Sequence, residues 1–155
     1  MNIDLKRKNI INIDETWLGM TDFRRMQWQF PGLPNSVAKK QMSPRVSMIA
    51  ALDTSGRIHV SLLQSNNNSQ TMEVFFTHLI NMLDEKDRYW RKNTIFMCDG
   101  ASYHTSEVMR NFYKTNNVPL LFTGPHSYAA SPIELFFAAF KKGDVNPNKV
   151  ATGKQ

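Results

Sequence analysis

Three acidic residues that lie far apart in the chain have the side chains best suited to chemistry: Asp14, Asp99 and Glu134. Asp14 and Asp99 each follow a short apolar or β-branched run, Asn9 to Ile13 and Thr94 to Cys98, which is typical of a buried strand. Ligands of open α/β sheets collect at the carboxyl ends of strands, so neighbouring parallel strands would bring both carboxylates into one crevice. Two such carboxylates repel each other unless a cation lies between them, and hard divalent metals prefer oxygen ligands.

Each acidic residue also has a simpler explanation. A lone Asp after a strand, such as Asp14, is more often a turn or cap residue. Glu15 is adjacent to Asp14, but successive strand residues face opposite sides of a sheet, so we place Glu15 outside the site. Ser131, Pro132 and Glu134 fit the capping box of a helix start, which explains Glu134 without catalysis. The residues alone leave the two roles of Glu134 equally open.

The other candidate residues carry less chemical signal. His104 lies five positions after Asp99, where it could orient a phosphate or a water, although a hydrogen bond at a helix start explains it equally well. Cys98 is the single cysteine and lies in an apolar run, so we expect a small buried residue rather than a catalytic thiol. The sequence contains no P-loop, dinucleotide-binding fingerprint or nucleophile elbow.

The bulk properties of the chain are those of one intracellular globular domain. It has 155 residues, of which 41% are hydrophobic and 21% charged, and one cysteine cannot form an internal disulfide. The net charge of +6 favours a polyanionic partner, but a merely basic protein is an equally good explanation. The sequence shows neither an apolar stretch of about 18 residues nor a signal peptide at its start, so we expect no membrane segment.

The remaining pattern predicts the elements that would position the acidic residues. Turn residues separate two β-rich runs, and a later helix has apolar residues at spacings of three and four. The predicted elements after the first strand are a hairpin (Val46 to Leu52 and Arg57 to Gln64), a helix from Gln70, a strand (Thr94 to Cys98), a helix (Ser106 to Lys114), a strand (Val118 to Phe122) and a helix from Ser131-Pro132 to about Lys142. This order predicts one mixed α/β sheet with helices on its faces.

Three segments together resemble a known family. Ile13 to Trp17 (IDETW), Asp99 to His104 (DGASYH) and Ser131 to Leu135 (SPIEL) resemble the motifs of Tc/mariner DDE transposases, which belong to the RNase H-like superfamily with the retroviral integrases. The 34 residues between Asp99 and Glu134 are the interval typical of this family. The resemblance extends from about residue 9 to residue 142, with a basic lead-in at 1–8 and a polar tail, expected to be disordered, at 143–155.

The resemblance implies a fold and a reaction. The fold is RNase H-like, an α/β fold with a five-stranded mixed sheet whose first three strands are antiparallel, with the first and fourth strands side by side and helices on both faces. The resemblance implies that three residues are catalytic and bind two Mg²⁺ or Mn²⁺ ions: Asp14, Asp99 and Glu134. It therefore favours a catalytic role for Glu134 over a capping role alone. The reaction is DNA cleavage and strand transfer at transposon ends and target, by a homodimer or larger complex, in the nucleus if the host is eukaryotic.

The basic residues are candidate DNA contacts on this interpretation. Five lie in a Pro-rich segment, and the sixth lies on the last helix toward the face of Glu134. They would bind DNA backbone phosphates, although a solvated loop explains the first five equally well. The six residues are Arg24, Arg25, Lys39, Lys40, Arg45 and Lys141.

The sequence also departs from the family pattern. Gly100 and Ser131 stand where the family usually has Asn, and the helix-turn-helix region that reads transposon ends has no counterpart before residue 9. These departures leave three interpretations open. The chain is a fragment, a decayed copy, or a core whose DNA-reading domain lies elsewhere. One alternative is a domesticated or decayed domain that binds DNA or protein without cutting. Another is an RNase H-like nuclease acting on RNA or hybrids, which the interval of 34 residues disfavours.

Overall fold

The computed structural model describes residues 8–18, 46–124 and 131–142, and all structural statements below concern these residues. They form nine elements in the order strand, strand, strand, helix, helix, strand, helix, strand, helix. The elements are β1 (Asn9–Leu18), β2 (Val46–Asp53), β3 (Ile58–Leu63), α1 (Ser69–Lys86), α2 (Trp90–Asn93), β4 (Thr94–Cys98), α3 (Glu107–Thr115), β5 (Leu120–Phe122) and α4 (Pro132–Lys142).

The five strands form one mixed sheet in the order β3-β2-β1-β4-β5. The first three strands are antiparallel neighbours, whereas β4 runs parallel to both β1 and β5. Between β2 and β3, the Asp53 carboxylate accepts hydrogen bonds from the amides of Ser55 and Arg57, and Gly56 supplies the positive φ of 80° that the turn requires. The predicted sheet, hairpin and helix order are therefore confirmed.

Apolar residues on opposite faces of the sheet pack against different helices. On one face, Ile13, Ile49 and Phe96 join the main core with residues of α1 and α3. Helix α1 contributes the apolar face that its spacing predicted, namely Met72, Phe75, Phe76, Leu79 and Ile80. On the other face, a smaller core under α4 comprises Met48, Ala50, Ile133 and Phe137. Helices therefore cover both faces, and β1 lies at the centre of the sheet.

Several element boundaries differ from the predictions. The prediction that β1 ends at Asp14 is wrong, because β2 pairs with β1 as far as Leu18 and keeps the polar residues after Ile13 extended. The strand predicted from Val118 begins only at Leu120, and a short helix at Trp90–Asn93, absent from the predicted order, leads into β4. The predicted lead-in at 1–8, apart from Lys8, the basic segment at 24–45 and the polar tail at 143–155 lie outside the described residues.

Candidate active site

Asp14 in β1 and Asp99, the residue directly after β4, lie at the same end of the ladder between these two strands. The parallel ladder between β1 and β4 ends at the pair Asn12 and Met97, and each Asp lies two positions further along. Neighbouring strands are about 4.8 Å apart, so this register brings the two residues to the same edge of the ladder. Asp14 is thus in the middle of β1 but at the carboxyl end of its parallel pairing with β4, which is where ligands collect in such sheets.

Glu134 comes from the first turn of α4, which is fastened to β1 by Asn12. The Asn12 side-chain oxygen accepts hydrogen bonds from the Ser131 hydroxyl at 3.0 Å and from the Ile133 amide at 3.1 Å. The Asn12 amide group donates in turn to the Met97 carbonyl at 3.3 Å. A strand residue therefore accepts hydrogen bonds from the start of this helix, and Asn12 lies on the same face of β1 as Asp14 because the two are two positions apart.

The pKa of Asp14 is affected by both of the other candidate carboxylates. Burial is the largest cause that raises the pKa of Asp14 from an ordinary 3.8 to about 7. The hydrogen bond that its carboxylate accepts from the Glu15 amide acts in the opposite direction and lowers the pKa. The negative charges of Glu15, Glu134 and Asp99 raise it further. The charged form of Asp14 is therefore destabilised by Asp99, which follows β4, and by Glu134 of α4, as well as by its neighbour in β1.

Glu15 takes part in a second, buried group of side chains. It faces the other side of β1, as predicted, where its Oε2 atom accepts a hydrogen bond from the Tyr103 hydroxyl at 2.8 Å. Its Oε1 atom lies 3.1 Å from Nε2 of His104, and the same nitrogen is 3.6 Å from Oδ1 of Asp99. His104 is fully buried, and the Glu15 side chain is only 5% exposed. Burial, followed by the charge of Glu15, raises the pKa of Tyr103, so its hydroxyl remains a donor.

The donor atoms at this edge of the sheet suit a hard divalent cation, because carboxylate oxygens are the ligands that Mg²⁺ and Mn²⁺ prefer. A cation would also relieve the repulsion that Glu134 and Asp99 exert on Asp14. Within the described ranges, no three His, Cys, Asp or Glu side chains are close enough together to enclose an ion. Ion binding would therefore have to draw the carboxylates inward, and like charges at this edge oppose that approach until a cation is present.

The candidate residues have different outcomes. Cys98 is fully buried, as predicted, and burial raises the pKa of its thiol. Lys141 is half-buried on α4, seven residues or two turns after Glu134, so both lie on one side of the helix. The other five basic candidates, Arg24, Arg25, Lys39, Lys40 and Arg45, lie outside the described residues.

Two residues of the site region were not found from the sequence, Asn12 and Tyr103, and Glu15 was considered but placed outside the site. Asn12 is a polar residue within an apolar strand, which was a usable signal because buried polar side chains need partners. Tyr103 had no local signal, since its partner is 88 positions away in the chain.

The strand order, with the first three strands antiparallel and β4 parallel to β1, is that of an RNase H-like fold. A family model described as "DDE superfamily endonuclease" matches residues 9–154. The chain belongs to this family of DDE endonucleases. A search of curated proteins found no significant sequence match.

Solved structures of the Mos1 mariner transposase share this fold. A Mos1 paired-end complex with Mn is 26% identical with a TM-score of 0.67, covering 88% of this chain and 41% of that one. A paired-end complex with the left transposon end is 24% identical with a TM-score of 0.66, covering 89% and 42%. The Mos1 strand transfer complex is 25% identical with a TM-score of 0.64, covering 88% and 40%. The chain thus spans about two fifths of the length of these transposase chains.

No helix in the described part of the chain is both long and apolar enough to cross a membrane.

Proposed function

We propose that this chain carries out transposase-type DNA cleavage and strand transfer by two-metal-ion phosphodiester chemistry, with Asp14, Asp99 and Glu134 as catalytic residues and metal ligands. The observation that carries the proposal is geometric: the register of β1 and β4 brings Asp14 and Asp99 to the same end of their ladder, and the hydrogen bonds of Asn12 hold the first turn of α4 against β1. This is the end of the sheet where open α/β sheets bind ligands, and the charges of Asp99 and Glu134 both raise the pKa of Asp14 there. The membership in the endonuclease family and the Mos1 complexes with transposon-end DNA support the same function.

The three carboxylates would divide the work of holding two Mg²⁺ or Mn²⁺ ions. Asp99 and Glu134 both affect the pKa of Asp14, so these three carboxylates together would hold the ions. When bound, the ions activate the attacking oxygen and stabilise the leaving oxygen of the phosphodiester. Mos1 has been solved as a paired-end complex with Mn and as a catalytic domain with Mg, which supports the choice of metals.

The partner in this proposal is DNA, bound by a dimer or larger complex. Lys141 lies about 10 Å along α4 from Glu134 on the same side, where it would bind a phosphate flanking the reacting one. The basic residues between positions 24 and 45 would extend this contact along the backbone. Paired-end and strand transfer complexes of Mos1 support a partner with two DNA ends.

The test is nicking of supercoiled plasmid in Mn²⁺ or Mg²⁺, with EDTA as the metal-free reference. Asp14→Asn, Asp99→Asn and Glu134→Gln should each reduce nicking to the EDTA background, because each removes a charged ligand but preserves side-chain shape. The matched control is Glu85→Gln, an exposed acidic residue on α1 far from the site, which should nick like the unchanged chain. Metal-dependent nicking that survives Asp99→Asn would refute the assignment.

The substrate class needs a separate comparison. A 5′-labelled DNA duplex and an RNA–DNA hybrid of the same sequence should be cut at different rates, with the duplex preferred. Preference for the hybrid would favour an RNase H-type activity instead. Binding to duplex DNA should weaken as salt is added, because contacts with phosphates release counterions.

A further inference from the structure

A buried network lies directly beneath the proposed ligands and has no part in the proposed chemistry. We define the Glu15 network as Glu15, Tyr103 and His104. Tyr103 donates a 2.8 Å hydrogen bond to Glu15, and the His104 ring nitrogen Nε2 lies 3.1 Å from the second oxygen of the same carboxylate. The network therefore joins β1 to the turn between β4 and α3, two parts of the chain that are almost 90 positions apart.

The network is costly to bury. Neither ring nitrogen of His104 makes a well-aligned hydrogen bond to any described residue, and the same holds for Oε1 of Glu15. A buried carboxylate and imidazole with incomplete hydrogen bonding destabilise a fold, so apolar side chains would serve a purely structural role better. Such groups in a native structure call for another explanation, of which a functional role is one.

The network touches both proposed ligands that come from the sheet. The Glu15 backbone amide donates to Oδ1 of Asp14 at 2.7 Å, and Nε2 of His104 lies 3.6 Å from Oδ1 of Asp99. The turn that carries Asp99 is otherwise held by local bonds only, such as the 3.0 Å bond from the Ala101 amide to the Asp99 carboxylate. The Tyr103–Glu15 hydrogen bond and the Glu15–His104 contact tie that turn to the strand of Asp14.

We propose that Glu15 and His104 are positioning residues, which hold the turn of Asp99 in register with Asp14 so that both carboxylates can share metal ions. This inference rests on the proposed function for its catalytic consequence, but not for the contact itself. Outer partners that orient metal ligands typically contribute 10- to 100-fold to metal affinity or activity, with about that loss when they are changed. Tyr103 acts by fixing the rotamer of Glu15.

The test compares Glu15→Gln and Tyr103→Phe with the unchanged chain and with Glu85→Gln. Glu15→Gln keeps the length of the side chain and an oxygen for Tyr103 but removes the charge facing His104. Amide hydrogen exchange at Ala101, His104 and Thr105, whose amides are bonded within the turn, reports its position without requiring activity. Calorimetry of Mn²⁺ binding and the kcat and KM of plasmid nicking report the consequence.

Exchange protection in the turn should fall about tenfold in Glu15→Gln, with a smaller fall in Tyr103→Phe, while protection in α1 is unchanged. The Mn²⁺ dissociation constant should rise about 10- to 100-fold, with KM for DNA unaltered and nicking partly restored at high Mn²⁺. Turn protection and Mn²⁺ affinity equal to those of Glu85→Gln would overturn the proposal, even if Glu15→Gln melted at a lower temperature. If the unchanged chain bound no Mn²⁺, the proposed function would fail. The positioning role would still be tested separately, because turn protection in Glu15→Gln equal to that in Glu85→Gln would overturn it. If Glu15→Gln does not fold, Tyr103→Phe decides by the same two comparisons.

Discussion

Replacing Asp14 with Asn should make the metal-free protein more stable while removing its activity. Burial and neighbouring acidic residues raise the pKa of Asp14 from 3.8 to about 7, so at pH 8 the fold carries an unfavourable charge. A rise of about three in pKa corresponds to about 4 kcal/mol, since each pKa unit is worth about 1.4 kcal/mol. Asp14 is only partly buried, and solvent screening reduces the expected gain to about 2 kcal/mol. Asn keeps the oxygen that accepts the Glu15 amide.

The gain should depend on pH in a defined direction. A carboxyl whose pKa is higher in the folded state favours folding only while it is protonated there, so the unchanged chain loses stability as pH rises from about 4 to 7. The advantage of Asp14→Asn should therefore be full above pH 7, decrease steadily below it and vanish near pH 4. The assay is thermal unfolding in EDTA at pH 8 and pH 5. At pH 8, a gain of about 2 kcal/mol corresponds to a rise of roughly 4–8 °C in the melting temperature.

The control for this prediction is Glu85→Gln, which removes one exposed negative charge from α1 and should change the melting temperature little at either pH. Adding Mg²⁺ should raise the melting temperature of the unchanged chain more than that of Asp14→Asn, because a ligand stabilises the state that binds it. An Asp14→Asn protein that melts at or below the unchanged chain at pH 8, or gains equally at pH 5, would refute the electrostatic argument.

Three further substitutions test the scaffold, with urea unfolding as the measurement. Asn12→Ala should cost about 1–3 kcal/mol, since it leaves the amide of Ile133 buried without its acceptor; a neutral result would mean that α4 is held by packing alone. Phe76→Ala should cost about 3–5 kcal/mol, because this fully buried ring packs against several others at the centre of the main core; a loss below 1 kcal/mol would contradict that packing. Gly100→Asn introduces the residue usual in the resembled family and should change stability by no more than about 0.5 kcal/mol. A Cβ at this position meets nothing within 4 Å, and φ is not positive. A large loss of stability would show that the turn needs glycine.

The sequence predicted those features that local periodicity encodes. The spacing of apolar residues in α1 predicted its buried face, and strand alternation correctly placed Glu15 on the opposite side of β1 from Asp14. The end of β1 was mispredicted because the residues after Ile13 are polar and look like a turn, whereas pairing with β2 keeps them extended to Leu18. When pairing with a neighbouring strand holds a segment extended, the segment's own residues show no strand pattern that a prediction could use.

The site was predicted only in part for a related reason. The two Asp residues were proposed from their positions after apolar runs, and Glu134 was favoured over a capping role only by the resemblance. The partners of Glu15 and the tether at Asn12 are contacts between segments 85 to 121 positions apart, which no window along the chain can reveal. A tertiary contact of this kind also holds the start of α4, since the oxygen of Asn12 accepts hydrogen bonds from Ser131 and Ile133.

The tether between Asn12 and α4 has a consequence for how the chain acquires activity during synthesis. Its two ends are 121 positions apart, so the helix that carries Glu134 cannot dock until nearly all of the described chain has left the ribosome. The five strands precede α4 in the chain, and a sheet formed earlier would contain both Asp residues but no third acid. If the proposed chemistry is correct, an unfinished polypeptide is harmless to the genome, and the capacity to break DNA arrives only with the last helix.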